Sequence, residues 1–332
     1  MTRVSPSSAG PEESKRLEPR IIDRLRVDAA TERRALVEGL RAASARIEPK
    51  YFYDVLGAAL YTAICELPEY YLTRTERTIF AEHRGDIATA IGPGTQLIDL
   101  GAGDGAKAAM WLATIAPSRY VGVDIAAEGL RAALARLSVA FPALEMLGVV
   151  TDFTQGLELQ RELGPARATF FYPGSSIGNF APREASAFLS DIRRHCVGRG
   201  GGLLIGVDTP KDAARLRAAY DDPLGVTGAF NRNILLHANR VLGCDFDHAS
   251  FAHVAFYDPV QNRIEMHLEA IRDCTVTIDG TVRRFDAGER IHTENSYKYE
   301  PALFTAMLRN AGFETVRLWQ DAAGDFAVYY AA

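Results

Sequence analysis

The sequence predicts an α/β fold, a doubly wound and mostly parallel sheet accompanied by a second, smaller lobe. Three observations predict it. Between residues 97 and 208, short apolar runs alternate with helical segments, which is the pattern of a parallel sheet covered on both faces. Between 210 and 300 this rhythm gives way to strand-like segments whose alternation and turn residues suit an antiparallel sheet. The α/β pattern resumes at 301–332, so we expect the large sheet to be discontinuous in the chain.

The elements of the first part follow in chain order. The opening over residues 1–21 is rich in Ser, Pro and charge, lacks the apolar core of a secretory signal, and is expected to be a disordered tail. Thr31 to Arg46 places Leu36 and Leu40 on one stripe of an amphipathic helix. The expected strands then lie at 97–100, 119–124, "MLGVVTDF", "ATFFYPG" and 201–208, and the expected helices at 106–115, 126–140 and 182–196.

The region after 210 looks like an insertion. Helical runs in "AARLRAAYDD" and "NRNILLHANRVLG" precede the strand-like segments "FAHVAFYD", "NRIEMHLEAIRDCTVTID" and "TVRRFDAGERIHTENSYKY". The chain ends in the helix "PALFTAMLRNAG" and a predicted hairpin of "FETVRLWQD" and "FAVYYAA". We therefore expect a sheet lobe at 84–205 plus 301–332 and a second, substrate-binding lobe at 22–83 plus 206–300.

Composition favours a small-molecule partner. A chain of 332 residues with 48% hydrophobic content can bury a large core. The 37 basic and 42 acidic residues leave a formal charge of −5, and no basic run indicates a nucleic acid or a membrane surface. Four cysteines without a CxxC pair argue against a disulfide framework and fit a cytoplasmic location. No apolar run approaches the roughly 18 residues of a membrane span, and no obligate protein partner is evident.

A glycine-rich turn follows the first strand of the predicted sheet, in "LIDLGAGDGAKA" from Leu97 to Ala108. Glycine tolerates positive φ and lets a ligand approach the backbone, while the next helix offers free N–H groups. The turn approximates both the dinucleotide fingerprint and the E/DxGxGxG pattern of methyltransferases. Asp99, two residues before Gly101, favours the second interpretation.

Acidic residues at the ends of the next two strands fit a nucleoside ligand. Asp124 ends "YVGVD", about 20 residues after the turn, where a carboxylate can accept from ribose hydroxyls. Asp152 and Phe153 follow the third strand and suit an adenine whose amine is bound and whose face is stacked. Together with the terminal hairpin, these residues favour S-adenosyl-L-methionine (SAM); a dinucleotide, or a purely structural turn, remains the alternative.

From about Glu48 to the C-terminus the chain resembles a known family. The blocks "KYFYD", "LPEYYLTRTE", "PGSSIGNF", "AYDDPLGVTGAFNRNIL" and "IHTENS" are similar, in the same order, to those of the histidine-specific SAM-dependent methyltransferases. The resemblance implies a Class I (Rossmann-like) methyltransferase fold. It also implies Nα-trimethylation of L-histidine to hercynine, a step of ergothioneine biosynthesis.

The resemblance further implies the site residues. The implied cofactor contacts are Gly101, Gly103, Lys107, Asp124, Asp152 and Phe153. The implied amino-acid pocket consists of Tyr53, Tyr70, Asn179, Tyr220, Glu294 and Ser296, with Tyr53 and Asn179 closest to the reaction and no metal. Met266 is expected either beside the imidazole ring or as an ordinary core methionine.

These roles make physical sense. Methyl transfer to an amine depends on positioning more than on acid–base catalysis, and Asn179 follows the fourth strand, where ligands of open α/β sheets bind. On a strand, Glu294 and Ser296 share a face. A carboxylate and a hydroxyl can then bind both nitrogens of a neutral imidazole.

Structural interpretations stand beside these functional ones. Tyr70 and Tyr71 suit ordinary core positions, and Asn179 suits a helix cap. Glu294 suits an exposed ion pair, and Lys107 a helix surface. The segment "CDFDHASFAH" matches no metal-ligand spacing and suits a polar turn before a strand.

Other functions also remain open at this point: methylation of tryptophan or another aromatic amino acid, a nicotinamide dehydrogenase, or a non-catalytic SAM-binding regulator. The chain departs from the family pattern at Tyr61, where phenylalanine is expected, and at Asn295, where an aliphatic residue is common. Tyr61 is expected to narrow or rewet the pocket, and Asn295 to point away from the ligand.

Overall fold

The computed structural model describes residues 16–25 and 29–332. The helices are α1 Ala29–Arg41, α2 Val55–Cys65, α3 Tyr71–Glu82, α4 Arg84–Ile91, α5 Ala106–Ile115, α6 Ala127–Ala140, α7 Pro182–Cys196, α8 Ala213–Ala218, α9 Val226–Leu242 and α10 Pro301–Asn310. The strands are β1 Arg20–Asp23, β2 Gln96–Leu100, β3 Arg119–Asp124, β4 Met146–Val150, β5 Ala168–Tyr172, β6 Gly201–Asp208, β7 Phe251–Asp258, β8 Arg263–Ala270, β9 Cys274–Ile278, β10 Thr281–Phe285, β11 Arg290–Tyr297, β12 Val316–Gln320 and β13 Phe326–Ala331. Short 3-10 helices lie at Pro49–Phe52, Phe153–Gln155, Ser176–Asn179 and His248–Ser250.

The large sheet confirms the predicted doubly wound fold. Among the described residues its strand order is β1-β4-β3-β2-β5-β6-β13-β12. The strands from β1 to β6 run parallel, and β13 lies antiparallel to both β6 and β12. The residues of β2, β4 and β5 are all buried, as expected for strands covered by helices on both faces. This is the Class I (Rossmann-like) methyltransferase fold with β1 added at one edge.

Strand β1 corrects part of the expected tail. Residues 1–15 of that tail lie outside the described residues, but 16–21 are described. Ile21 pairs with Gly148 and Ile22 with Val149 in a parallel ladder, so the expectation of disorder is wrong for residues 20 and 21. The reason is local, because the two isoleucines supply apolar side chains to an edge that β4 leaves open.

A smaller antiparallel sheet confirms the change of pattern after 210. It has the order β11-β8-β7, with the hairpin β9–β10 beside it. Helix α9 packs against α2, β7 and β8. Helix α3, expected in the second lobe, packs instead against β13 of the large sheet.

The chain leaves the large sheet and returns to it at one point. Strand β6 ends at Asp208, as expected, so the large sheet extends beyond the lobe boundary expected at 205. After β11 the backbone N–H of Tyr299 donates to the Asp208 carbonyl at 3.1 Å. The smaller sheet is therefore anchored at the carboxyl edge of the large one, where ligands of open α/β sheets bind.

Candidate functional site

The glycine turn after β2 leaves open space beside the backbone. Gly101, Gly103 and Gly105 have φ angles of +70°, +51° and +69°, values that favour glycine. No heavy atom lies within 4 Å of where a Cβ would stand on Gly101, and at Gly103 the nearest is the Gly101 carbonyl oxygen at 3.9 Å. The turn thus fits a ligand that approaches the main chain closely, and α5 begins directly after it.

Carboxylates follow the next two strands. Asp124 accepts hydrogen bonds from the backbone N–H groups of Gly103 and Ala126, both at 2.8 Å. Burial raises the pKa of Asp124, although these N–H groups oppose the shift. Asp152 accepts from the N–H of Thr154 at 3.0 Å and lies 3.3 Å from Lys50 Nζ. Both carboxylates are thereby fixed at the carboxyl edge of the sheet.

An ion pair links the glycine turn to the loop after β5. Lys107 Nζ lies 2.7 Å from Glu76 Oε2, and Glu76 Oε1 accepts from the Gly174 N–H at 2.7 Å. Glu76 is only 1% exposed, whereas the Lys107 side chain is 37% exposed. Lys107 is therefore more than a helix-surface residue, and Glu76, which sequence reasoning did not single out, fixes its position.

One cavity brings together the residues expected to bind the amino acid. Its lining contains Tyr53, Tyr70, Asn179, Tyr220, Met266, Glu294 and Ser296. It also contains Gly174, next to the ion pair just described, and Tyr61, the departure from the family pattern. The cavity therefore lies between the large sheet and the smaller one.

Aromatic rings form one wall of this cavity. Tyr61 lies edge-on to Tyr53 and to Tyr70, with ring centroids 5.7 and 6.3 Å apart, and Phe230 lies 6.1 Å from Tyr61. Burial raises the pKa of Tyr53 and of Tyr70 well above the usual value. Their hydroxyl groups are therefore neutral at physiological pH and act as hydrogen-bonding groups rather than as bases.

Strand β11 directs two polar side chains into the cavity. Its pairing with β8 shifts between His292 and Glu294, so Thr293 is an additional residue, a β-bulge. The bulge places Ile291 on the same face of the sheet as Glu294 and Ser296, and all three are buried. Burial raises the pKa of Glu294 to about 7. The expectation of an exposed ion pair for this residue is therefore wrong.

Asn179 ends the 3-10 helix that follows β5. This helix packs closely on β11, since a Cβ on Gly178 would lie 2.8 Å from the Tyr297 carbonyl oxygen. The N-cap of α7 is Ala181, whose N–H donates to Glu184 at 2.9 Å. Asn179 is therefore not the cap of α7, and it faces the cavity.

The structural interpretations of Tyr71 and of the segment "CDFDHASFAH" agree with the structure. Tyr71 donates from its hydroxyl to Asp208 at 2.8 Å and is a buried structural residue, whereas its neighbour Tyr70, also buried, lines the cavity. In "CDFDHASFAH", Asp247 accepts from the Ala249 N–H at 3.1 Å just before β7 begins. This segment is the expected polar turn before a strand.

One group of potential metal ligands occurs among the described residues. Glu265, His267 and His292 bring their ligand atoms within 4.8 Å of one another. They lie on the face of the smaller sheet that points away from the cavity. Glu265 already pairs with Arg263 and with His267 Nε2, the latter at 2.8 Å. Glu265 therefore already has two partners, and the cluster is separate from the candidate site.

Comparison with known proteins identifies the family. Residues 32–332 match the family described as histidine-specific methyltransferase, SAM-dependent. The chain belongs to this family. SAM is therefore the methyl donor of this methyltransferase, and the dehydrogenase alternative falls away.

Individual relatives extend the match over most of the chain. The histidine N-alpha-methyltransferase of Mycolicibacterium smegmatis is 39% identical over 312 residues, covering 92% of this chain and 96% of that protein. The histidine N-alpha-methyltransferase of Mycobacterium tuberculosis is 39% identical over 308 residues, covering 90% and 94%. Ergothioneine biosynthesis protein 1 of Neurospora crassa is 28% identical over 288 residues, covering 80% of this chain and 31% of that protein.

Within the parts of the chain described at 16–25 and 29–332, no helix of this methyltransferase has both the length and the apolar character needed to span a bilayer. The small-molecule substrate expected from the charge balance agrees with the family.

Proposed function

We propose that this methyltransferase transfers three methyl groups in succession to the α-amino nitrogen of L-histidine, giving hercynine for ergothioneine biosynthesis. The mycobacterial relatives, named as histidine N-alpha-methyltransferases, support the position of methylation. The fungal relative, named as an ergothioneine biosynthesis protein, supports the pathway. Both reactants are small molecules, so the reaction requires no nucleic acid, membrane or protein partner, and a cytoplasmic location stays a prediction.

The observation that carries the proposal is that Glu294 and Ser296 line the same cavity. A neutral imidazole has one N–H donor and one nitrogen acceptor. A buried carboxylate accepts from the first, and a hydroxyl donates to the second. Indole has a single donor and no acceptor, so tryptophan would leave the serine hydroxyl without a partner, which costs about 1–3 kcal/mol.

The cofactor side of the proposal uses the glycine turn and the strand ends. When bound, SAM supplies an electrophilic methyl group on a sulfonium. Gly101 and Gly103 give it access to the backbone, and Asp124 can still accept from ribose hydroxyls through its free lone pairs. Asp152 and Phe153 suit the adenine, and Lys107, fixed by Glu76, suits a carboxylate.

The end of the pocket that faces the α-amine and the α-carboxylate of histidine orients the nucleophile. Asn179 offers a carbonyl acceptor and an amide donor, which suit the amine and the carboxylate of one substrate. Tyr53 and Tyr70 add neutral hydroxyls, since burial raises the pKa of each, whereas the Tyr220 hydroxyl lies 2.7 Å from Ser296 Oγ at the imidazole end. With no tyrosinate available at neutral pH, Asn179, Tyr53 and Tyr70 position the amine, and the substrate ammonium loses a proton to water before each methyl transfer.

A substrate panel tests the proposed function directly. The enzyme is incubated with SAM and each of the common amino acids, and products are read by mass spectrometry. We expect histidine to gain one, two and then three methyl groups on its α-nitrogen. Faster turnover of tryptophan would assign a different substrate, and no turnover despite binding of S-adenosylhomocysteine would indicate a non-catalytic SAM-binding protein.

A further inference from the structure

A buried lysine contacts Ser296 and Tyr220, two of the residues that line the cavity. Lys298 follows Ser296 by two residues, and its side chain is completely buried. Its Nζ lies 2.7 Å from Ser296 Oγ and 3.1 Å from the Tyr220 hydroxyl. The third partner of the ammonium is Asp208 Oδ2, at 2.8 Å. Lys298 does not line the cavity, but two of its three partners do.

The charge of Lys298 is secure. Burial disfavours the ammonium form, but the Asp208 carboxylate and the Tyr220 hydroxyl together outweigh burial and raise the pKa of Lys298 above its usual value. Asp208 depends less on Lys298 than Lys298 does on Asp208, because Asp208 also accepts hydrogen bonds from the Tyr71 hydroxyl at 2.8 Å and from Lys211 Nζ at 2.5 Å. Lys211 already supplies a counter-charge to Asp208, so balancing the charge of Asp208 does not by itself explain why the Lys298 ammonium lies against Ser296 and Tyr220.

The ammonium constrains the hydrogen bonds of both hydroxyl groups. An ammonium only donates, so Ser296 Oγ and the Tyr220 oxygen must each accept from Lys298. The two hydroxyl oxygens are also 2.7 Å apart, so one of them donates to the other. Of the two hydroxyl protons, one serves this bond, and the other is left to donate into the cavity. The phenol is the more acidic hydroxyl, so we assign the shared proton to Tyr220 and the remaining donor to Ser296.

We propose that Lys298 is a positioning residue that fixes the direction of the Tyr220–Ser296 hydrogen bond and leaves the Ser296 hydroxyl as a donor to the imidazole of bound histidine. The inference rests on the proposed function. It explains how a hydroxyl, which can donate or accept, becomes selective for a ring nitrogen that carries a lone pair. Glu294 supplies the complementary acceptor, so the pocket matches a neutral imidazole in one orientation.

The test compares Lys298→Met, which removes the donors at similar length, with Lys298→Gln, which keeps an N–H₂ donor without the charge. Assays run at pH 9, above the Glu294 pKa of about 7, to limit the effect that losing the ammonium has on the charge of this carboxylate. We expect Lys298→Met to raise KM for histidine about 10- to 100-fold, the scale of a misdirected buried hydrogen bond. We expect kcat to stay within about threefold, because the ring contacts are the same in the ground and transition states. Lys298→Gln should restore most of the lost affinity.

A double-mutant cycle separates this role from a structural one. If Lys298 acts through Ser296, then Lys298→Met should add little to the KM of Ser296→Ala. Multiplying effects would overturn the inference, as would an unchanged KM in Lys298→Met. A joint fall in kcat and in S-adenosylhomocysteine affinity, measured by calorimetry, would indicate a structural role and would also overturn it.

Two further arms keep the outcome decisive. If Lys298→Met does not fold, the cycle uses Lys298→Gln, in which Ser296→Ala must still raise KM as it does in the wild-type background. An absence of that rise would overturn the inference. Wild-type enzyme that fails to methylate histidine would overturn the proposed function and this inference together, whereas active wild type with insensitive variants would overturn the inference alone.

Discussion

Glu294 is a buried carboxylate with an unusual electrostatic environment. It is 8% exposed, and burial raises its pKa to about 7, while the Lys298 ammonium opposes this shift. In the free enzyme the side chain therefore changes from neutral to charged in the physiological range. A charged acceptor forms the stronger hydrogen bond to an imidazole N–H.

We expect Glu294→Ala to lower kcat/KM for histidine at pH 8. The loss of transition-state stabilisation should be about 1–3 kcal/mol, the cost of a lost buried hydrogen bond to a charged group. The gap between wild type and variant should narrow as the pH falls through about 7, because wild-type Glu294 then takes up a proton. The measurement is kcat/KM against pH, which reports groups of the free enzyme.

The matched control is Glu269→Ala. Glu269 lies on the neighbouring strand β8, points away from the cavity and pairs with Arg290 at 2.7 Å. We expect its kcat/KM profile to follow that of the wild type. A pH-independent gap for Glu294→Ala would show that the carboxylate charge does not contribute to recognition.

Sequence reasoning located this residue but not its surroundings. The spacing of Glu294 and Ser296 places them on one face of a strand, and the same spacing extends to Lys298, whose importance was missed because a lysine is normally exposed. The bulge at Thr293 leaves no signal in the sequence. Glu76 was missed because its partners are 31 and 98 residues away along the chain.

At the scale of elements, α3 and β6 meet through a glycine. A Cβ on Gly206 would lie 2.1 Å from Glu76 Oε1 and 2.9 Å from the Phe326 ring. Strand β6 therefore needs glycine here so that the Glu76 carboxylate can reach Lys107 and the loop after β5. Contacts of this kind, between a helix and a strand far apart in the chain, cannot be read from local periodicity.

We expect Gly206→Ala to displace Glu76, to raise the Kd for S-adenosylhomocysteine about tenfold and to lower Tm, since overpacking a core typically costs about 1–3 kcal/mol. Calorimetry measures the first effect and thermal unfolding the second. Gly85→Ala is the control, because Gly85 lies in α4 with no atom within 4 Å of the added Cβ. Unchanged cofactor affinity in Gly206→Ala would mean that Glu76 does not support the donor site.

Most strands of the large sheet were predictable, and the elements that were missed have different causes. The buried strands β2 to β6 were found because continuous apolar runs of that length have few other uses in a soluble domain. Strand β1 was missed because four residues at an edge carry too little pattern. No helix was predicted for the residues of α3, which were placed in the second lobe only as part of 22–83; even an amphipathic pattern would show that one face is buried, but not against which sheet.

At the scale of the whole molecule, a buried ionic cluster joins the two sheets. Asp208 ends β6 of the large sheet, and Lys298 follows β11 of the smaller one. Burial raises the pKa of Asp208, but Lys298 and Lys211 outweigh it and hold the pKa below its usual value. The carboxylate is therefore charged at neutral pH, and this contribution to stability disappears only as the pH falls from 3.8 through the lower folded value.

We expect Asp208→Asn to destabilise the protein at pH 7 by about 3 kcal/mol, because it leaves the Lys298 ammonium buried without a counter-charge. Thermal unfolding measures the loss. The control, Asp221→Asn, breaks an exposed ion pair with Arg217 and should leave Tm almost unchanged. Equal Tm values for the two variants would show that the cluster does not stabilise the junction.

The junction at the end of β6 also bears on how such an enzyme can change. The N–H of Tyr299 reaches the carbonyl of Asp208, so residues 209–298 leave and rejoin the framework at nearly the same place. Because the ends of this segment adjoin, a segment of different length and lining could replace it between the same two residues without moving the large sheet. Evolution could then exchange the acceptor while the machinery that holds the donor stays as it is.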